Sequence, residues 1–310
     1  MTVLRDMSPG TPGPWRAVID IGTNSVLLLI ARRRVDRSIE VALDRATITR
    51  LGRGADKSGV LAPEAIDRTL AVLREYREVA AAHPVASLLA VTTEGVRMAG
   101  NRDEFLAPAA DVLGAPVRLL GGDEEAELSY RSVAQETDGA GPLRVIDIGG
   151  GSTEIAVGEG MTLRSSVSHR IGAVRLTERF VSCDPPTPAM VAAIEAEALA
   201  TFGRGQPLAP HPVLHGVAGT VTTAAALLLG LEKYDREKVD GTRFAAAQVR
   251  ALRDELARET SAERCRRPAL DPGRADVVVA GLTILVAALQ HCGATELAVR
   301  DRGLRYALVD

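Results

Sequence analysis

The chain has 310 residues, a formal net charge of −3 and 46% hydrophobic residues, a length that suits two domains better than one core. Near-balanced charge and few aromatics, with one Trp, four Tyr and four Phe, argue against nucleic acid or a membrane as partner. Cys183, Cys265 and Cys292 are far apart and share no zinc-type spacing with the histidines, so they read as reduced thiols of a cytoplasmic protein.

Residues 1–14 are rich in Pro, Gly and polar groups, lack the apolar run of a signal peptide, and read as a flexible tail. Val18-Ile19-Asp20-Ile21-Gly22-Thr23-Asn24-Ser25 then brings a carboxylate to the end of an apolar strand. A tight turn and a hydroxyl residue follow, and Val26 to Ile30 forms the second arm of a hairpin. Polar strands from Arg32 to Thr49, a Gly-rich loop at Leu51 to Gly54 and a Pro-started helix from Pro63 to about Ala82 come next. The spacing predicts a strand over Val85 to Val91, a helix over Arg97 to Leu106, a strand over Val117 to Leu120 and a helix over Asp123 to Gln135.

The order then restarts. Val145-Ile146-Asp147-Ile148-Gly149-Gly150-Gly151-Ser152 repeats the first phrase and opens strands that continue to Arg170. Helices are expected from Thr177 and from Pro188 to Phe202, a strand over Val213 to Val217, a Gly-Thr turn, and a helix over Val221 to Leu229. A helix over Ala245 to Thr260, a buried helix after Asp276 and a strand over Glu296 to Val299 complete the pattern. The apolar stretch Val277 to Leu289 is too short to span a bilayer. Strands followed by crossover helices in both halves give an α/β fold of two related lobes facing a cleft. The seam is placed in Thr137 to Pro142, dividing the chain into a first lobe over 15–138 and a second over 139–310, whose last segment has the option of packing back on the first.

On these residues the chain resembles the exopolyphosphatase / guanosine pentaphosphate phosphohydrolase (Ppx/GppA) family. The resemblance rests on the two Asp-Ile-Gly phrases, on Asn101-Arg102-Asp103-Glu104-Phe105 and on Gly122-Asp123-Glu124-Glu125-Ala126. It continues through Ile171 to Glu178, Gly219-Thr220-Val221-Thr222-Thr223 and Pro272-Gly273-Arg274-Ala275-Asp276. The resemblance implies a two-domain actin-like fold with an active site between lobes. It also implies Mg²⁺-dependent (or Mn²⁺-dependent) hydrolysis of a terminal phosphoanhydride, in polyphosphate or in guanosine pentaphosphate, by the short two-domain form of the family. The sequence leaves room for a homodimer.

Such hydrolysis needs donors for phosphate, a metal between phosphates and a group to activate water. Gly149, Gly150 and Gly151 let the backbone approach phosphate and Ser152 adds a hydroxyl, although a Gly run is also an ordinary turn. Asp147 and Glu154, on opposite arms of the hairpin, are the expected metal carboxylates, with Asp20 as their counterpart in the first lobe. Adjacent residues on a helix diverge by about 100°, so only one of Glu124 and Glu125 faces the cleft. The resemblance implies that Glu125 is the base, though acids at a helix start also simply stabilise it. It further implies Arg97 as a phosphate-binding arginine, with Asn24, Ser25, Gly219 and Thr220 around the remaining phosphates and Arg274 and Arg267 along the path of a chain.

Glu94 departs from the small residue usual in the family, and is expected to repel a polyanion unless it binds metal or pairs with Arg97. Asp240 and Arg300 also depart. These changes bear on substrate choice more than on reaction type. The leading expectation is removal of terminal phosphate from short polyphosphate, with guanosine pentaphosphate 5′-phosphohydrolysis as the alternative. A catalytically weak polyphosphate- or nucleotide-binding regulator is a reading from a different class, and an ATP-dependent phosphotransferase is a third. Glu125-dependent phosphate release separates the first two from the regulator, and ADP release with small acceptors identifies the phosphotransferase.

Overall fold

A computed structural model describes residues 11–137, 141–205 and 208–309, so the expected tail over 1–10 and the centre of the expected seam, 138–140, lie outside the described residues. The first lobe runs β1 (Trp15–Ile21), β2 (Ser25–Arg33), β3 (Ile39–Ile48), α1 (Ala55–Ser58), α2 (Pro63–Ala81), β4 (Val85–Thr92), α3 (Glu94–Arg97), α4 (Arg102–Leu113) and β5 (Val117–Leu119). After α5 (Gly122–Ala134) come β6 (Pro142–Ile148), β7 (Thr153–Glu159), β8 (Thr162–His169), α6 (Ala173–Phe180), α7 (Pro188–Phe202) and β9 (Val213–Val217). The remainder is α8 (Ala218–Leu228), α9 (Arg236–Val239), β10 (Arg243–Ala245), α10 (Ala246–Leu256), α11 (Ser261–Arg264), α12 (Val278–His291), β11 (Glu296–Val299) and α13 (Leu304–Ala307).

The strands form two mixed sheets, ordered β3-β2-β1-β4-β5 and β10-β11-β9-β6-β7-β8. In each, a central strand pairs antiparallel with the next strand and parallel with one reached through a helix: β1 with β2 and β4, β6 with β7 and β9. The duplicated phrase therefore builds the same position twice, and the actin-like two-domain architecture follows from that repetition. Central strands buried on both faces need near-continuous apolar sequence, which is what Val18 to Ile21 and Val145 to Ile148 supply apart from their aspartates. Apolar helices cover the sheets, α2 and α4 on the first and chiefly α12 on the second, where every residue from Val278 to Leu289 is buried. Among the described residues no helix is long and apolar enough to cross a membrane.

The lobes exchange their last helices. By spacing α5 groups with residues 15–138, yet Tyr130, Val133 and Ala134 pack on Leu143, Val145, Ala156 and Val217 of the second sheet. Conversely, Tyr306 and Val309, in and just after α13, pack on Val18, Leu29 and Ala31 of the first. A four-residue helix has no stability of its own. Burial holds α13 in place, at about 1.5–3 kcal/mol for each large apolar side chain.

Several boundaries differ from expectation for local reasons. The helix expected over Arg97 to Leu106 is split into α3 and α4, because Asn101 leaves the helical path to bond both the backbone N–H and carbonyl of Leu61. The helix expected from Thr177 begins at Ala173, and the Gly219-Thr220 turn is the first turn of α8. The helix expected to reach Thr260 stops at Leu256, and Thr260 caps α11 instead, in a reciprocal box with Glu263. Neither β10 nor α13 was anticipated.

Candidate active site

Asp20 and Asp147 stand at the carboxyl ends of the two central strands, where open α/β sheets take ligands. The turns that follow close identically, Gly22 N–H to Ser25 O at 2.9 Å and Gly149 N–H to Ser152 O at 3.0 Å. Their carbonyls are tied outward. Thr23 O accepts from Gly52 N–H and Asn24 O from Thr49 and Arg50 N–H, while Gly149 O and Gly150 O accept from the first N–H groups of α6. This leaves the N–H groups of Gly150 and Gly151 without an acceptor among the described residues, which is the arrangement an anion uses.

The two loops touch each other. A Cβ on Gly150 would lie 3.0 Å from Thr23 Cβ, and one on Gly151 would lie 2.9 Å from Thr23 Oγ1. Glycine is required here for close approach. Between the lobes lies a cavity of about 700 Å³ lined by Asp20, Asn24, Ser25, Glu125, Asp147, Gly149 to Ser152, Gly219, Thr220 and Arg274.

Glu125 enters this cavity from the first turn of α5 and is 6% exposed, whereas Glu124 pairs with Arg118 on the other side of the helix. Glu154 faces Asp147 directly across the β6–β7 ladder and is 1% exposed. The equivalent partner of Asp20 on β2 is Leu27, so only the second lobe carries a paired carboxylate. Ser129 donates to Asp147 Oδ2 and Ser168 to Glu154 Oε1.

Burial, and then crowding by one another, pushes these acids upward. Asp20 rises to about 7, chiefly by burial, with Arg305 opposing and Asp147 adding. Glu154 rises to about 8, by burial and then by Asp147. Glu125 lies well above the usual carboxylate range through burial, Glu154, Asp147 and Asp20 in that order, and burial raises Asp147 despite the Ser129 bond. Asp20 Oδ1, Glu125 Oε2 and Glu154 Oε2 are buried without a hydrogen-bond partner. Carboxylates so crowded and so poorly satisfied fit a divalent cation. Among the described residues no group of three such side chains is arranged to hold one by itself, so such an ion would draw ligands from phosphate and water.

Other expected residues sit elsewhere. Arg97 does not line the cavity; its Nη1 donates to Leu120 O, and it acts on Glu125 by opposing the rise of its pKa. Arg267 is held by Glu255 and Glu259 and does not itself line the cavity, although Pro268 beside it does. Glu94 does not pair with Arg97: its Oε1 accepts from Arg175 Nη1 at 2.8 Å and from Arg170 Nε at 3.3 Å. Asp240 accepts from the Asp301 N–H through Oδ1.

The sequence reading missed Arg305, which lines the cavity, binds Asp44 with Nη2 at 2.8 and 2.9 Å, and opposes the rise of the Asp20 and Asp147 pKa values. It stands at the start of α13 as Glu125 does at the start of α5. The duplication itself was the signal, since the residues after the last strand of each copy occupy equivalent places. Lys233, Tyr234, Arg236 and Asp301 also line the cavity and carried no motif.

Comparisons with known proteins place the whole chain. The Ppx/GppA phosphatase family model matches residues 29–310. Exopolyphosphatase 2 of Mycobacterium tuberculosis is 40% identical over 281 residues, 87% of this chain and 88% of its own. The crystal structure of the Aquifex aeolicus Ppx/GppA family member, 34% identical, superposes with a TM-score of 0.80 over 96% of both chains. An exopolyphosphatase-like protein, 33% identical, reaches 0.88 over 95% of this chain and 97% of its own. With a family model matched over most of its length and relatives of 33–40% identity covering nearly all of it, the chain belongs to the Ppx/GppA phosphatase family.

Proposed function

We propose that this protein is a cytoplasmic, metal-dependent exopolyphosphatase that releases the terminal phosphate of short inorganic polyphosphate chains. The observation that carries the reading is the set of buried carboxylates, Asp20, Glu125, Asp147 and Glu154, three of them with an unpartnered oxygen, around a loop with two N–H groups free for an anion. Its 40% identical relative is named an exopolyphosphatase.

The terminal phosphate binds the Gly150 and Gly151 N–H groups and the Ser152 hydroxyl, with Asn24, Ser25, Gly219 and Thr220 around its neighbours. Arg274, near Thr223, supplies positive charge inside the cavity. Glu125 takes a proton from the attacking water, its carboxyl being held above the usual carboxylate range by burial and by its acidic neighbours and so more basic than an ordinary glutamate. Asp147 and Glu154, with Asp20 opposite, would hold Mg²⁺ or Mn²⁺, which neutralises charge between phosphates. Ser129 and Ser168 fix the two carboxylates of the second lobe. Short chains suit the site because cationic side chains line the cavity at Lys233, Arg236, Arg274 and Arg305, whereas Arg267, which does not line it, is neutralised by Glu255 and Glu259.

Tyr234, which lines the cavity together with Ala269 and Leu270, favours a second reading, 5′-phosphate removal from guanosine pentaphosphate, with the base against the Tyr234 ring. The test is phosphate release from tripolyphosphate, long polyphosphate, guanosine pentaphosphate and ATP in parallel, with Mg²⁺ and with EDTA. The fastest metal-dependent release from tripolyphosphate is expected. A preference for guanosine pentaphosphate selects the second reading, and no release from any substrate rejects both.

A further inference from the structure

Three carbonyls shape the glycine loop of the second lobe, and they are held differently. Gly149 O and Gly150 O accept from backbone N–H groups of α6, within their own lobe. Gly151 O accepts instead from the guanidinium of Arg175, whose Nη1 lies 2.5 Å away. The same Nη1 is 2.8 Å from Glu94 Oε1, and Nε is 2.6 Å from Asp56 Oδ1. Glu94 and Asp56 belong to the first lobe, in α3 and α1. The last glycine of the loop is thus fixed by an arginine that the opposite lobe orients.

Glu94 is placed for this task and not for contact with substrate. It does not line the cavity, its side chain is 2% exposed, and it packs behind the loop: a Cβ on Gly151 would meet Glu94 Oε2 at 2.4 Å. A planar guanidinium gripped on two edges by carboxylates has little freedom, and what freedom it loses is transmitted to the carbonyl it holds. We propose that Glu94 is a positioning residue for phosphate binding: from the first lobe it orients Arg175, which holds the Gly151 carbonyl and so keeps the loop N–H groups facing the cavity. The loop reaches its phosphate-binding shape when the lobes are joined at this ion pair. The inference rests on the phosphohydrolase reading of the cleft.

Charge alone gives the opposite expectation for a variant. Removing a carboxylate near a bound polyanion tightens binding by simple Coulomb repulsion, whereas removing a positioning group weakens it. Calorimetric titration with tripolyphosphate, with steady-state phosphate release alongside, separates the two for wild type, Glu94→Gln, Arg175→Lys and the double variant. For Glu94→Gln we expect binding weakened by roughly tenfold or more and KM raised accordingly, since small misplacement of a binding group has effects of that size. The double variant should be no worse than the weaker single, because both changes break one chain of contacts.

Equal or tighter binding by Glu94→Gln, or losses that multiply in the double variant, overturns the inference. Should Glu94→Gln fail to fold, Asp56→Asn, at the more exposed end of the same clamp, must show weakened binding for the inference to stand. Wild-type protein that neither binds nor hydrolyses tripolyphosphate overturns the reading of the cleft as well. Wild type that binds, beside a Glu94→Gln variant that binds equally, overturns the positioning role alone.

Discussion

The Ser129 hydroxyl lies 2.5 Å from Asp147 Oδ2, joining the helix that carries Glu125 to the strand that carries its carboxylate neighbour. Both groups are buried, so the bond fixes the spacing between the candidate base and the candidate metal carboxylates. Ser129→Ala leaves Asp147 with one donor fewer, and a lost hydrogen bond to a buried charged group costs roughly 1–3 kcal/mol. Chemical denaturation should read that loss. Turnover should fall roughly tenfold, as for other residues that orient metal-binding carboxylates.

Glu125→Gln keeps the shape of the base and removes its proton affinity. General-base catalysis contributes about 10²–10⁴-fold, so kcat should fall by that order while tripolyphosphate affinity is kept or improved, a crowded negative charge having been removed. A variant with more than half of wild-type kcat would assign the base elsewhere.

Stability should depend on pH in a specific direction. Asp20 and Glu154 are pushed up from 3.8 and 4.5 to about 7 and about 8, so between those limits the metal-free folded state holds protons that the unfolded chain has released. Their contribution is complete below about pH 4 and is lost as pH rises through about 8. The melting temperature in EDTA should therefore decline from pH 5 to pH 8, and Mg²⁺ should restore most of it at pH 8. A flat profile in EDTA would remove these acids from the account.

Gly172→Ala tests the seat of the loop. Its Cβ would lie 2.4 Å from both the carbonyl carbon and oxygen of Gly150 and 2.6 Å from Gly151 N, all backbone atoms that cannot swing aside. Displacement of the loop should reduce kcat/KM by roughly 10²-fold, with overpacking costing about 1–3 kcal/mol of stability. Near-normal kinetics would mean that the loop tolerates movement.

Asp44→Asn tests the other end of the cavity. Asp44 accepts from Arg305 twice and from the Tyr306 hydroxyl, and lies 3.4 Å from Arg236. Breaking this largely buried cluster on one side should cost roughly 1–3 kcal/mol, measured by thermal or urea unfolding. Asp44→Glu keeps the charge and should recover part of that stability, which a loss set by hydrogen-bond geometry alone would not allow.

The hairpins and their aspartates were legible because strand, turn and hydroxyl residue are neighbours in sequence, and a phrase written twice fixes two lobes. Glu125 could be distinguished from Glu124 by helical angle and resemblance together. Arginine roles were not legible in the same way. Arg97, Arg267, Arg175 and Arg305 look alike along the chain, and only tertiary packing decides that Leu120 O takes the first, Glu255 and Glu259 the second, Glu94 the third and Asp44 the fourth. The α13 turn escaped notice because four residues carry no periodicity, and its place depends on β1, far away in sequence.

The exchange of α5 and α13 also sets an order of assembly during synthesis. Val18, Leu29 and Ala31 emerge from the ribosome early, but the side chains that cover them, Tyr306 and Val309, are made almost three hundred residues later. Arg305, the cation that faces Asp20 and Asp147, arrives in the same stretch. A nascent chain halted before residue 304 therefore carries both phosphate loops and every candidate carboxylate, yet one face of its first sheet lacks Tyr306 and Val309 and its cleft lacks Arg305.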